Sequence, residues 1–504
     1  MQPRNLTIIC VTMFVSLLCH SLSQRTHRAL VVADAMEMID RFYVDPIDDR
    51  ELVLSALNGM TAPLDQYSEF IPPVNYDAFR DTIYQEFAGI GIYVDQPKPD
   101  GPVRVITPIV GSPALAAGVL PGDEIVVVDG ENVESMGIRE VSDRLRGPVG
   151  TKVKMTLRRG VKPSDESDAK TEEIETTIVR ESIQMESVIG DHRDANNQWV
   201  YRLDENPRVA YVRMTSFGDK TVSELAGVLA QLDNDFDAFV LDLRGNGGGL
   251  LTAAVEVADM FLDSGKIVAT KTRGGVLEEQ AVATSTTLMN TNIPMAVLID
   301  HDSASASEIV AAALQDNKRA IVGGTRSFGK GTVQNVLPLE YGRSALRLTV
   351  AKYYRPTDVN IHRGKDDDED DVWGVTPDEG LSVELDLPTL QRLLLLKQEA
   401  SYPLLKNIDR TAFSRPVETE AEDEAETEAE TQVADAESEQ PSTEVPTPPE
   451  TLIAEIPEDT TIWQLDKPLV LVVERMLSRL ASDKSPSSEE TEDVKESEPS
   501  KKAA

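Results

Sequence analysis

The body of this 504-residue chain reads as an α/β protein, and three observations predict that class. From about residue 206 to 400, short apolar runs such as RVAYVRM, FDAFVLDL and IPMAVLID alternate with segments of helical spacing such as TVSELAGVLAQL, LTAAVEVADMFL and ASEIVAAALQ. That is the pattern of a sheet layered with helices. Ahead of it, residues 86–160 change to short alternating strands broken by Gly-Ser-Pro and Pro-Gly-Asp turns, which predicts a small β-rich module with two helices. A composition of 40% hydrophobic and 27% charged residues fits a globular chain long enough for two or three domains.

In chain order, residues 1–23 come first, with a basic start, MQPRN, an apolar run, LTIICVTMFVSLLC, and small residues at Ser21 and Ser23. This is the pattern of a secretory signal, short for a membrane-spanning helix, which needs roughly 20 apolar residues. It predicts export across the cytoplasmic membrane to the periplasm or cell envelope, or secretion, with membrane proximity if the segment is kept as an anchor. Both cysteines, Cys10 and Cys19, lie inside it, and the bulky Leu18 before Cys19 disfavours a lipoprotein site. The mature chain then has no thiol for a disulfide, a nucleophile or a metal. Residues 24–85 show apolar residues at helical spacing and form a helical lead-in. Residues 161–205 connect the β-rich module to the α/β body at 206–400. Residues 401–504 form an acidic, low-complexity tail expected to be disordered, in which TIWQLDKPLVLVVERMLSRLAS, near 461–482, has the spacing of a helix that docks on the body or binds a partner.

The formal net charge of −38 opposes nucleic-acid binding, which needs a basic face. Residues 418–504 carry 25 acids against 7 bases, so the tail supplies about half of that charge.

Three segments carry candidate chemistry. GTRSFGKG, at 324–331, comes within one residue of a P-loop, but Gly331 stands where Ser or Thr should hold magnesium, and the following GTVQNVLPL reads as a strand with no helix N-terminus for a phosphate. The apolar FVLD that would serve as its aspartate strand precedes it, the reverse of the usual order. An ATPase is therefore disfavoured. LDLRGNGGG offers Gly247, Gly248 and Gly249 as a loop of unobstructed amides that can hold an oxyanion, or as a plain strand-to-helix turn. DSASASEIVAAALQD places Ser305 at a helix N-terminus, where the dipole favours a developing alkoxide. Ser305 to Glu308 is also an ordinary SxxE capping box. The chain has five histidines, two of them at or beside the leader, so a Ser-His pair is disfavoured. Lys330, between Gly329 and Gly331, can replace the histidine if desolvation lowers its pKa. The acidic insert Asp366–Asp371 lacks the spacing of a calcium loop and reads as a solvated turn.

The order EFAGIGIYVDQ, SPALAAGVLPGDEI, LDLRGNGGG, SASASE and SFGKGTVQ, with FYVDPID before it and RLTVAKYYRPTD and GVTPDEGL after it, resembles the C-terminal processing peptidases over about residues 30–390. The resemblance implies a ClpP/crotonase-like α/β protease core with an inserted PDZ domain at 86–160. It implies Ser305 as nucleophile, Lys330 as general base and acid, and Gln334 as the group that orients the lysine. The oxyanion hole would use amides of Gly247, Gly248 and Ala306, with Glu308 and Ser327 in support. The loop Gly89, Ile90, Gly91 and Ile92 would bind the terminal carboxylate of a substrate, since glycines let successive amides point into one space while the peptide adds as a strand.

The function this implies is an exported serine endopeptidase that recruits proteins with apolar C-termini, with no metal or other cofactor. A catalytically silent PDZ scaffold is the alternative. A homo-oligomer and an activator or adaptor protein stay open as partners; nucleic acid does not.

Overall fold

The computed structural model describes Met13, residues 30–403 apart from 77–78, 80–85, 99–100, 162–169, 340–342, 365–366 and 369, and residues 457 and 459–483. The leader expected at 1–23, Met13 excepted, and the acidic stretch 404–456 fall outside the described residues.

The chain forms two compact units, the first being Met1–Ala78 with Val333–Val350. The expected helical lead-in supplies a helix at 30–42 and another at Asp49–Thr61, the latter started by Asp48, whose carboxylate accepts from Arg50 N. It then turns extended: Glu69–Ile71 pairs antiparallel with Ala345–Arg347. Asp65 sets the turn before that strand, accepting from Tyr67 N at 2.8 Å and Ser68 Oγ at 3.1 Å, and it also accepts from Thr349 Oγ1 at 3.2 Å.

The second unit, Phe79–Thr332 with Ala351–Ala504, contains the β-rich module and the α/β body. The module's sheet runs Ile92–Asp95, Val103–Pro108, Glu124–Val128, Lys152–Val161 and Lys170–Val179, neighbours antiparallel. Alternate residues Val103, Val105, Ile125, Val153, Met155, Leu157 and Ile178 point into one core, as a half-buried sheet requires. Helix Ile138–Leu145 and the single turn Pro113–Ala116 complete it, the turn begun by Ser112 Oγ accepting from Leu115 N. The sheet continues past the expected boundary at 160. KTEEIETTIV pairs along its whole length with 152–161, and Glu181–Gln184 pairs back with Glu86–Gly89. Its alternation was masked because Lys170, Glu172 and Thr176 share the parity of the inward positions, leaving only Ile174 and Ile178 as apolar inward signals.

The body is a five-stranded sheet in simple order: β1 (Val188–Ile189), β2 (Val209–Met214), β3 (Ala238–Asp242), β4 (Met295–Ile299) and β5 (Ile321–Gly324). β1 runs antiparallel to β2, and the others are parallel. Parallel neighbours need crossover helices, here α1 (Thr221–Leu232), α2 (Leu251–Asp259) and α3 (Ala306–Asp316). Burial on both faces explains the near-continuous apolar strands AFVLD and MAVLI, every residue of which is buried.

The second face is covered from far along the chain. Val209, Tyr211, Ala238, Val240, Ala296 and Leu298 share a core with Leu469, Val472, Val473 and Met476. Those four belong to α6 (Lys467–Asp483), which follows α4 (Leu387–Ser401) and the single turn α5 (Ile462–Leu465). The helix expected near 461–482 is thus a core element of the α/β body. Among the described residues no helix is long and apolar enough to cross a membrane.

Candidate active site

β4 ends at Ile299, and the next residues, DHDSAS, turn the chain sharply into α3. Ser305 sits at that turn with φ 57° and ψ −112°, a left-handed conformation that costs a non-glycine residue on the order of 1–3 kcal/mol. Asp300 fixes the approach, accepting from Asp302 N at 3.1 Å and Ser303 Oγ at 3.0 Å. The result is a serine held at the first turn of a buried helix.

The glycine loop after β3 lies directly against this serine. A Cβ on Gly248 would stand 2.6 Å from Ala304 O, 2.8 Å from Ser305 Cβ and 2.9 Å from Ala306 N, and its φ of 101° excludes other residues as well. Asn246, fully buried, builds the loop: its Nδ2 donates to Met214 O at 2.9 Å, its Oδ1 accepts from Gly248 N at 2.9 Å, and its carbonyl accepts from Ser307 Oγ at 2.8 Å and Ala304 N at 3.0 Å. Gly248 N–H is therefore engaged. No hydrogen-bond partner is seen for the N–H groups of Gly247 and Ala306 among the described residues.

The lysine loop, 325–331, joins β5 to the strand Thr332–Leu339, as the sequence predicts. Its glycines serve close backbone approach: a Cβ on Gly331 would lie 2.2 Å from His362 N, and Gly329 has φ 86°. With strands on both sides and no helix after it, the segment is no phosphate loop.

Glu308 ties the serine turn and the lysine loop together. Its Oε2 accepts from Ser305 N at 2.8 Å and Lys330 N at 2.9 Å, and its Oε1 accepts from Gly329 N at 2.7 Å and Ser327 Oγ at 2.6 Å. The glutamate half of the expected capping box is present, and it does more than cap: one carboxylate oxygen spans the backbone of both Ser305 and Lys330. Complete burial pushes the Glu308 carboxyl up to about 7, against the lowering effect of these four donors. Ser327 Oγ in turn accepts from Val375 N at 2.8 Å.

Gln334 belongs to the first unit, where its Nε2 donates to Thr349 Oγ1 at 3.2 Å. The GIGI loop opens the β-rich module. Ile90 is buried in its core, the carbonyls of Ile90 and Gly91 accept from Ala114 N and Ile109 N at 3.0 Å, and Gly91 has φ 77°. Ile92 begins the end strand of its sheet, whose outer edge is the place where an added strand would pair. Residues 366 and 369 of the acidic insert fall outside the described ones; among those described, no group of three His, Cys, Asp or Glu side chains is placed to hold a metal.

Sequence reasoning missed Asn246 and the charged cluster behind the glycine loop. Asp242, at the end of β3, and Asp466, before α6, are both fully buried, and Arg244 forms two-pronged ion pairs with each. Lys397 lies 2.9 Å from Asp466 and 3.5 Å from Asp242. The DxR spacing of LDLRG carried a signal for the first pair; the second joins residues 222 positions apart.

Residues 208–380 match peptidase family S41, and residues 104–159 match a PDZ domain. The carboxy-terminal-processing protease of Bartonella bacilliformis is 37% identical over 376 residues, 72% of this chain and 77% of that protein. The carboxy-terminal processing protease CtpA of Bacillus subtilis is 33% identical over 371 residues, 73% of this chain and 71% of that protein. Among solved structures, the photosystem II D1 C-terminal processing protease is 30% identical, with a TM-score of 0.40 over 70% of this chain and 92% of its own. With its PDZ domain followed by an α/β body carrying the matched segments, the chain belongs to peptidase family S41, among the carboxy-terminal processing proteases.

Proposed function

We propose that the chain is an exported serine endopeptidase that works through a Ser305–Lys330 pair on proteins whose C-termini its PDZ domain holds. The observation that carries the reading is Glu308, whose single carboxylate binds the backbone of both residues beside the glycine loop. Ser305 Oγ attacks the peptide carbonyl while Lys330 Nζ takes its proton. The oxyanion is held by N–H groups of Ala306 and of the glycine loop. Gly247 is the better donor there, because Gly248 N–H already serves Asn246. Lys330 then gives its proton to the leaving amine, and water, deprotonated by the same lysine, releases the acyl chain. Glu308 and Ser327 position the two loops.

The substrate's terminal carboxylate would meet the amides of the GIGI loop, with the peptide adding along Ile92–Asp95. Cleavage of casein by the mature chain tests the mechanism. Ser305→Ala and Lys330→Ala should each abolish it, with the wild-type rate rising through a pKa below that of free lysine. A Ser305→Ala protein that cleaves as fast as wild type sinks the reading. A wild type that binds C-terminal peptides without turnover, with or without a partner protein, returns the scaffold alternative.

A further inference from the structure

The α/β body is completed by a segment far beyond the residues that match the peptidase family, which end at 380. α6 supplies Leu469, Val472, Val473 and Met476 to the second face of the sheet, and the residue just before it, Asp466, enters the charged cluster under the glycine loop. Arg244 Nη1 and Nη2 donate to Asp466 at 2.7 and 2.8 Å, while its Nε and Nη2 donate to Asp242 at 2.9 and 2.6 Å. The guanidinium is thus gripped from both sides, a geometry that fixes its plane as well as its position. Three residues further along the same short loop stands Gly247. Further anchors, Gly245 N on Asp300 and Asn246 Nδ2 on Met214 O, hold it from the C-terminal ends of β4 and β2, and Asn246 O accepts from Ala304 N and Ser307 Oγ.

Charge balance makes Asp466 indispensable to that grip. Asp242 and Asp466 together neutralise Arg244 and Lys397; without Asp466 the cluster keeps a buried cation with no counter-charge, and Arg244 keeps one carboxylate only.

We infer that Asp466 is a positioning residue for the oxyanion loop: through Arg244 it sets where the Gly247 amide points, so that this one residue, just ahead of the C-terminal helix, acts on the catalytic site. This rests on the Ser-Lys reading above. It concerns the stage at which the oxyanion forms, and substrate capture by the PDZ domain is not touched by it.

The test uses full-length protein with casein or a peptide substrate, reading kcat and KM separately, together with inhibition by a peptide boronate, whose tetrahedral serine adduct places an oxygen in the oxyanion site. Asp466→Asn should lower kcat about 10- to 100-fold, as expected for a slightly misplaced catalytic group, weaken the boronate by a similar factor and leave KM within about threefold. Leu469→Ala, which trims α6 packing and keeps the carboxylate, should lower the melting temperature and leave kcat per folded molecule unchanged. The double variant Asp466→Asn/Lys397→Met restores neutrality, so it should fold even where the single variant does not, and its kcat should remain low. Wild-type kcat in Asp466→Asn, a loss that only tracks the unfolded fraction, or full recovery in the double variant would each overturn the inference. Ser305→Ala run in parallel separates the two ideas: if it is inactive and Asp466→Asn is fully active, only the positioning role fails.

Discussion

Glu308 is the residue on which the site turns, because a fully buried carboxylate holding four donors is stable only while all four are present. Its carboxyl is raised to about 7, so the folded protein binds that proton more tightly than the unfolded chain. The contribution to stability is full below the usual carboxylate range and is lost as pH rises through about 7. Activity runs the other way, since the ionised form is the one that grips Ser305 and Lys330. kcat/KM should therefore show, beside the rise that the lysine base gives, a transition near 7 that Glu308→Gln removes, and the variant should lower kcat about 100-fold. An unchanged acid limb in Glu308→Gln would show that another group sets it. For Ser305, Lys330 and Glu308 the sequence spoke through the joint order of motifs that carries the family resemblance, since taken alone Ser305 to Glu308 is an ordinary capping box and Lys330 a lysine in a glycine turn. Asn246 was not legible there. Its work is done by backbone contacts to residues 32 and 61 positions away, which no local pattern encodes.

Among the elements, α6 takes the first of the two courses its spacing allows, docking on the body. Its apolar spacing stands out within an acidic tail, and Leu469, Val472, Val473 and Met476 are among the most buried of the described residues. The charged cluster at its start makes the element acid-sensitive. Burial alone would raise the carboxyls of Asp242 and Asp466, but Arg244 and Lys397 outweigh it and hold both well below the usual carboxylate range, with Arg213 adding to the pull on Asp242. Both contributions are present above that range and are lost as pH falls through it toward the depressed values. Stability followed by tryptophan fluorescence should drop steeply on acidification below about pH 4, and the drop should be shallower in the Asp466→Asn/Lys397→Met protein. Parallel curves would mean that the cluster does not govern acid unfolding.

At the scale of the whole molecule, the succession of lead-in, β-rich module and α/β body was readable because each has its own period. The module's last strand was lost to the polar residues among its inward positions, and the pairing of 69–71 with 345–347 was hidden by the 273 residues between them. The module's open edge at Ile92–Asp95 carries a prediction of its own. A peptide ending in an apolar residue with a free carboxylate should bind inactive Ser305→Ala protein at least about tenfold more tightly than the same peptide amidated, because the loop's amides gain most from a charged acceptor. Equal affinities would remove the GIGI loop from recognition. The placement of α6 also bears on how the protein is made. Synthesis proceeds from the N-terminus, so Ser305, Lys330 and the glycine loop leave the ribosome long before residues 467–483, and until then one face of the central sheet has no cover. A chain stopped before α6 therefore carries every motif of the protease without the helix that closes the second face of its sheet.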